Sequence, residues 1–206
     1  MTLENVQGAL VNVGLFWMLT TPHEFAHAWA ASRLGDDTAR RMGRLTLNPL
    51  AHADRLGTVI LPAATSLLGG GFVGWGKPVP TDPSQLRGGM TGLAAVALAG
   101  PASNVVFAAL LAALAAAMAA SHPAIADLAV RGVLLSLYMA VFNLLPVPPL
   151  DGSKVLLAAR VPLAVYELLA RHGFLILVVA ILATPLGRWL SGLTWSGTVL
   201  LLRLFG

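Results

Sequence analysis

Four apolar runs organise the chain. The first, Val6 to Ala31, is long enough to cross a hydrocarbon core ~30 Å thick, which takes about 20 helical residues. The second, Met90 to Ala120, carries no charge and is broken by Gly100-Pro101, with Ser103 and Asn104 just behind. Its Ala and Leu content favours helix. The third begins near Asp127 and Arg131, an i,i+4 pair suited to a helix end, and continues through Gly132 to Lys154. Gly132 to Leu145 supplies only 14 helical residues, so a full crossing must draw on the Pro-rich stretch that follows. The fourth, Phe174 to Leu190, is interrupted by Pro185, and Leu193 to Phe205 is apolar enough to lie on the membrane or to cross it.

The intervals are equally patterned. Thr58 to Leu68 makes ~16 Å of helix, about half a bilayer, and is expected to dip into the membrane or lie at its surface. Gly69 to Pro80 alternates glycine with bulky residues, which suits a hairpin held against protein. Val155 to Gly173 carries Arg160, Glu167 and Arg171 and reads as an interfacial amphipathic segment. The expected fold is therefore an all-α integral membrane protein, a polytopic helical bundle forming one domain over residues 1–206. Its core, 6–154, holds three transmembrane helices and a short Gly-rich β-hairpin or re-entrant element, and further membrane segments occupy 155–206.

Composition agrees. Of 206 residues, 57% are hydrophobic and 11% charged, against roughly 25% charged in soluble domains, and the mean hydropathy is +0.78. There is no cysteine, which excludes disulfides and thiolate metal sites. The net charge of +4 would suit nucleic acid were it not for its placement. Seven of the 13 basic residues, Arg33, Arg40, Arg41, Arg44, Arg55, Lys77 and Arg87, lie between the first two runs. That clustering marks a cytoplasmic loop by the positive-inside rule, so the basic balance reports topology and no nucleic-acid partner is expected. With Glu4 before it and the arginines after it, the first run should pass from outside to inside. It has no cationic lead, so a cleaved signal peptide is not expected.

Against this background the stretch Thr20 to Ser32, "TTPHEFAHAWAAS", is anomalous. Ionisable groups inside a membrane helix cost a few kcal/mol or more each, so they point to function. His23 and His27 are four apart, hence on one helix face and ~6 Å apart along the axis. Two imidazoles at that spacing can bind one zinc ion, and Glu24 lies beside them as a general base for a metal-bound water. With Arg33 marking the inner interface, His27 lies ~9 Å and His23 ~15 Å below it by helical rise. Pro22 cannot donate to the Met18 carbonyl and loosens the turn before the pair.

Open zinc sites usually have three protein ligands. His52 and Asp54 lie in the basic loop and read as solvated, while His122 and Asp127 fall at the opposite face. Asp151 follows Asn143 and the prolines Pro146, Pro148 and Pro149, an irregular backbone tolerated at membrane depth only where it lines protein or water. It is the favoured third ligand, and Glu167 competes with it. Asn104 and Asn143 could donate hydrogen bonds to a substrate backbone or could bond carbonyls freed near their prolines.

Three motifs in order, "HEFAH", "AGPASN" (Ala99 to Asn104) and "NLLPVPPLDG" (Asn143 to Gly152), resemble the site-2 protease family of intramembrane zinc metalloproteases. "GRLTLNPLAHADRLGT" and "GWGKPVP" resemble its short, mostly prokaryotic branch, so the PDZ-like and nucleotide-sensing domains of many relatives are not expected. The likeness covers Thr21 to about Lys154. It implies one zinc held by His23, His27 and Asp151, with Glu24 as general base. It also implies that Asn104 and Asn143 help shape the substrate site, and that Gly74 and Gly76 meet an extended substrate. The implied activity is hydrolysis of transmembrane protein substrates in a cell membrane, with the active site towards the cytoplasm. Two other classes fit some of these residues: a metal or proton transporter relaying through His23, His27 and Asp151, and a non-catalytic binding protein of the same fold.

Overall fold

The computed structural model describes residues 3–67 and 74–206, and these form helices joined by loops. α1 (Leu3–Arg33) is followed by α2 (Thr38–Arg41), a 3-10 turn (Pro49–His52), a π-helical turn (Arg55–Ile60) and α3 (Leu61–Leu67). After the connection come α4 (Met90–Met118), α5 (Pro123–Asn143), α6 (Ser153–Ala158), α7 (Leu163–Ala183) and α8 (Leu186–Phe205).

Helix α4 is the hub, packing on α1, α5, α6 and α8. Its inward positions are small: Ala94, Ala97, Gly100, Asn104, Ala108, Ala112 and Ala115. Such a stripe lets helix backbones approach closely, as packing inside lipid requires. Its large residues, Leu98, Val105, Val106, Phe107, Leu110 and Leu114, face outward. Helix α8 follows the inversion in part, burying Thr194 and Thr198 together with Leu190 while exposing Trp189, Leu193 and Trp195. Small and polar inside with large and apolar outside is a pattern for a bilayer, where the apolar face meets lipid.

Among the described residues α4, α5 and α7 are long and apolar enough to cross a membrane. Helix α1 has 31 residues, about 46 Å of helix, but its apolarity is diluted by the groups around His23.

Three boundaries differ from expectation. Helix α5 starts at Pro123, whose missing N–H is no loss in the first turn, so it reaches 21 residues before the Pro-rich stretch begins. Helix α7 runs unbroken from Leu163 to Ala183, so much of the expected interfacial segment belongs to an apolar helix instead. No β-hairpin is seen among the described residues. Residues 69–73 of the expected hairpin lie outside them, and 74–80 form no regular secondary structure. The reason is chemical: Pro78 and Pro80 cannot donate to a ladder, and the backbones of Trp75 and Lys77 are engaged by the loop before them.

Candidate metal centre

His23 and His27 lie on the buried face of α1 and turn their Nε2 atoms toward one another, 3.1 Å apart. Asp151, 128 positions from His23, sets its Oδ2 3.1 Å from His23 Nε2 and 3.2 Å from His27 Nε2. All three residues are buried, at 5%, 7% and 8% exposure, and together they form a group able to hold a metal ion.

The tautomers follow from the partners on the far side of each ring. His27 Nδ1 lies 2.8 Å from the Val96 carbonyl, which can only accept, so Nδ1 carries the proton. His23 Nδ1 lies 2.5 Å from Asn104 Oδ1. The Asn104 amide donates to Ser136 Oγ at 3.2 Å, and Ser136 in turn donates to the Asn104 carbonyl at 2.8 Å. Both rings therefore aim an Nε2 lone pair at the place where the carboxylate oxygen also points. Three electron-rich atoms crowded together repel unless a cation lies among them. A tetrahedral zinc with ligand bonds of ~2.0–2.1 Å spaces its ligand atoms about 3.4 Å apart, close to the triangle observed.

Each ligand is delivered by its chain segment. Helix periodicity sets the histidine pair. Asp151 is brought back by the loop after α5, closed by the Gly152 N–H on the Asn143 carbonyl at 2.7 Å. Ser153 Oγ fastens the same loop to the Leu150 carbonyl at 2.6 Å. Helix α4 passes very near: a Cβ at Gly100 would fall 2.3 Å from His27 Nε2 and 2.7 Å from His23 Nε2. Only glycine admits both rings there.

The other sequence candidates are placed differently. Glu24 is buried beside the pair, and its Oε2 accepts the Val79 N–H at 3.2 Å. Asn104 has no exposure, and its amide is committed to His23 and Ser136. Asn143 folds back on its own helix, donating to the Met139 carbonyl at 2.9 Å. Glu167 and His122 are exposed and outside the group. His52, read as solvated, is fully buried, with Nε2 on the Thr46 carbonyl at 2.8 Å. Asp54 caps the turn after it by accepting the Gly57 N–H at 2.7 Å.

Sequence reasoning missed Gly100 as a clearance residue and missed Lys154, whose Nζ donates to Asp151 Oδ1 at 3.1 Å. The signal for Lys154 was available, because a cation at i+3 can reach a carboxylate.

Comparison with known proteins decides the family. "Putative zinc metalloprotease YwhC" of Bacillus subtilis is 36% identical over 180 residues, covering 82% of this chain and 78% of that protein. The chain belongs to this zinc metalloprotease family. Its members Rip2 of Mycolicibacterium smegmatis and of Mycobacterium tuberculosis, named in the same way, are 35% and 33% identical over 194 and 198 residues. Each of those matches covers 91% of this chain and 73% of Rip2. No family model and no solved structure matches the chain. Zinc is the metal in the family members' names, and the donor set of two imidazoles and a carboxylate fits it.

Proposed function

We propose that this protein is an intramembrane zinc endopeptidase of the site-2 type, hydrolysing peptide bonds in or near transmembrane segments of membrane proteins. The observation that carries the reading is the meeting of His23 Nε2, His27 Nε2 and Asp151 Oδ2 within 3.2 Å inside a bundle of apolar helices. These three residues hold the metal. Residues 1–206 act as one membrane domain, α1 enters from outside, and the site faces the cytoplasmic side where the arginines cluster.

Bound zinc would supply Lewis acidity, making water nucleophilic near pH 7 and polarising the scissile carbonyl. Glu24 takes a proton from the attacking water and passes it to the departing amine. Asn104 and Val96 keep the two rings in the tautomer that leaves Nε2 free for metal. A substrate helix hides its amides and must unwind locally to be cut. The strand-like stretch at Gly74 and Gly76 suits that need. Its Trp75 and Lys77 backbones are taken by Gly57 and His52, and an extended substrate would pair with the alternate residues Gly74 and Gly76. Asn143 contributes through its carbonyl, which seats the Asp151 loop.

The test is metal content together with cleavage of a transmembrane reporter in detergent. The wild type should hold about one zinc per chain and lose cleavage on chelation, with zinc restoring it. Asp151→Asn should bind zinc at least ~10-fold more weakly, because it loses an anionic ligand. A chelator-insensitive wild-type activity would overturn the reading. Lys154→Ala should weaken zinc binding by about 10- to 100-fold, the usual effect of removing a group that orients a ligand. Competition with a chromogenic chelator reads it.

A further inference from the structure

Residues 74–82 form a strap that lies over Glu24, and its course is set by bonds at both ends. The Trp75 N–H donates to the Gly57 carbonyl and the Lys77 N–H to the His52 carbonyl, each at 2.9 Å. The Lys77 carbonyl accepts from Arg44 Nη2 at 2.6 Å. At the far end the Asp82 N–H donates to Asp36 Oδ2 at 2.7 Å, and Asp36 Oδ1 takes the Thr38 N–H at 2.9 Å. Asp36 and His52 have no exposure, so both anchorages are built into the protein interior.

Between the anchors, the Val79 N–H meets Glu24 Oε2 at 3.2 Å. The sequence isolates that donor. Pro78 and Pro80 have no N–H, so within Pro78–Pro80 only Val79 can give a backbone hydrogen bond, and Pro80 confines Val79 to extended conformations. Gly76 supplies clearance: a Cβ there would fall 2.4 Å from Thr20 Cγ2 and 3.1 Å from Glu24 Oε1, so the strap lies flat on α1 at the glutamate. Arg44 is buried below the strap. Burial lowers the proton affinity of its guanidinium, and the nearby Glu24 charge works against that lowering.

We propose that this strap positions the general base, with Val79 as a positioning residue whose N–H fixes one Glu24 oxygen and leaves Oε1 to move the proton. Arg44 acts one step further out, seating the strap through the Lys77 carbonyl. The inference rests on the reading of Glu24 as general base and deepens it. A carboxylate without the strap is free to rotate away from the productive geometry. The Val79 bond lies beyond the Gly74 and Gly76 positions proposed for substrate, so its loss falls on the chemical step.

The test compares Val79→Pro, which deletes the N–H, with Val79→Ala, which keeps it and trims the side chain. In purified, zinc-loaded protein, kcat for Val79→Pro should lie about tenfold or more below that of Val79→Ala, with equal KM and equal bound zinc. Arg44→Gln should lower kcat in the same manner, and Arg44→Lys, which can still donate to the Lys77 carbonyl, should restore most of it. Equal kcat for the two Val79 variants overturns the proposal. So does a rise in KM with kcat unchanged, which would confine the strap to substrate binding, or a loss of zinc in step with activity. Where Val79→Pro fails to fold, the Arg44 pair decides, and wild-type kcat for Arg44→Gln overturns the proposal. Failure of the underlying reading is distinguishable: Glu24→Gln would then still cleave, whereas an inactive Glu24→Gln beside an unimpaired Val79→Pro removes the strap's role alone.

Discussion

Glu24→Gln should keep its zinc and lose cleavage by about a thousandfold or more, a barrier increase of roughly 4 kcal/mol. The substitution preserves shape, and the amide oxygen of glutamine can still accept the Val79 N–H that Oε2 accepts at 3.2 Å. The metal group consists of His23, His27 and Asp151 without Glu24, so ligand geometry should survive. What disappears is proton transfer, because an amide neither takes a proton from water nor returns one to an amine. General acid–base assistance is typically worth 10²- to 10⁴-fold, and in the proposed mechanism one carboxylate serves both steps. Metal analysis and transmembrane reporter cleavage on the same preparation check it. A transporter relaying through the two histidines and Asp151 would be indifferent to Glu24, so retained cleavage in this variant would remove the proteolytic mechanism, and a measurable ion flux that survives the substitution would favour the transporter.

How much of this was legible in the sequence depends on how local each signal is. The His23, Glu24 and His27 cluster is a helix-spacing signal, and α1 carries it as expected. Asp151 was legible because prolines at membrane depth need a protein lining, although bringing it 128 positions back to His23 takes tertiary packing. Asn104 was recognised as a notable buried amide, but its partner was not. Which face of α4 meets α1 is set by a stripe of small residues in a helix where nearly every position is apolar, so hydrophobic periodicity gave no direction. His52 was read as solvated because it sits among arginines. The structure buries it because the 3-10 turn at Pro49–His52 and the π-helical turn behind it fold the loop under the strap. The expected hairpin is not seen among the described residues, where Pro78 and Pro80 lack the donors a strand ladder would need.

The same packing yields the other large prediction: Gly100→Ala should bring bound zinc from about one per chain to near zero and cleavage to background. A methyl at Gly100 would fall 2.3 Å from His27 Nε2 and 2.7 Å from His23 Nε2, between the two nitrogens that must face the metal. Contacts under 3.0 Å force a shift, and the shift has nowhere harmless to go. Helix α4 is tied to α1 through Val96 on His27, Asn104 on His23 and Ser103 on the Pro22 carbonyl. If α4 retreats, the bonds that set both tautomers lengthen. If the rings swing aside instead, their Nε2 atoms leave Asp151. Either movement opens the triangle. Alanine in place of an unhindered glycine inside a helix stabilises by about 0.5–1 kcal/mol, but overpacking a filled interior costs about 1–3 kcal/mol, so the fold should lose a little stability while the site loses its metal. Circular dichroism should be unchanged and the thermal midpoint of zinc-free protein slightly lowered, while zinc content and reporter cleavage collapse. A Gly100→Ala protein that holds zinc and cleaves normally would show that the close passage of α4 does not limit the site.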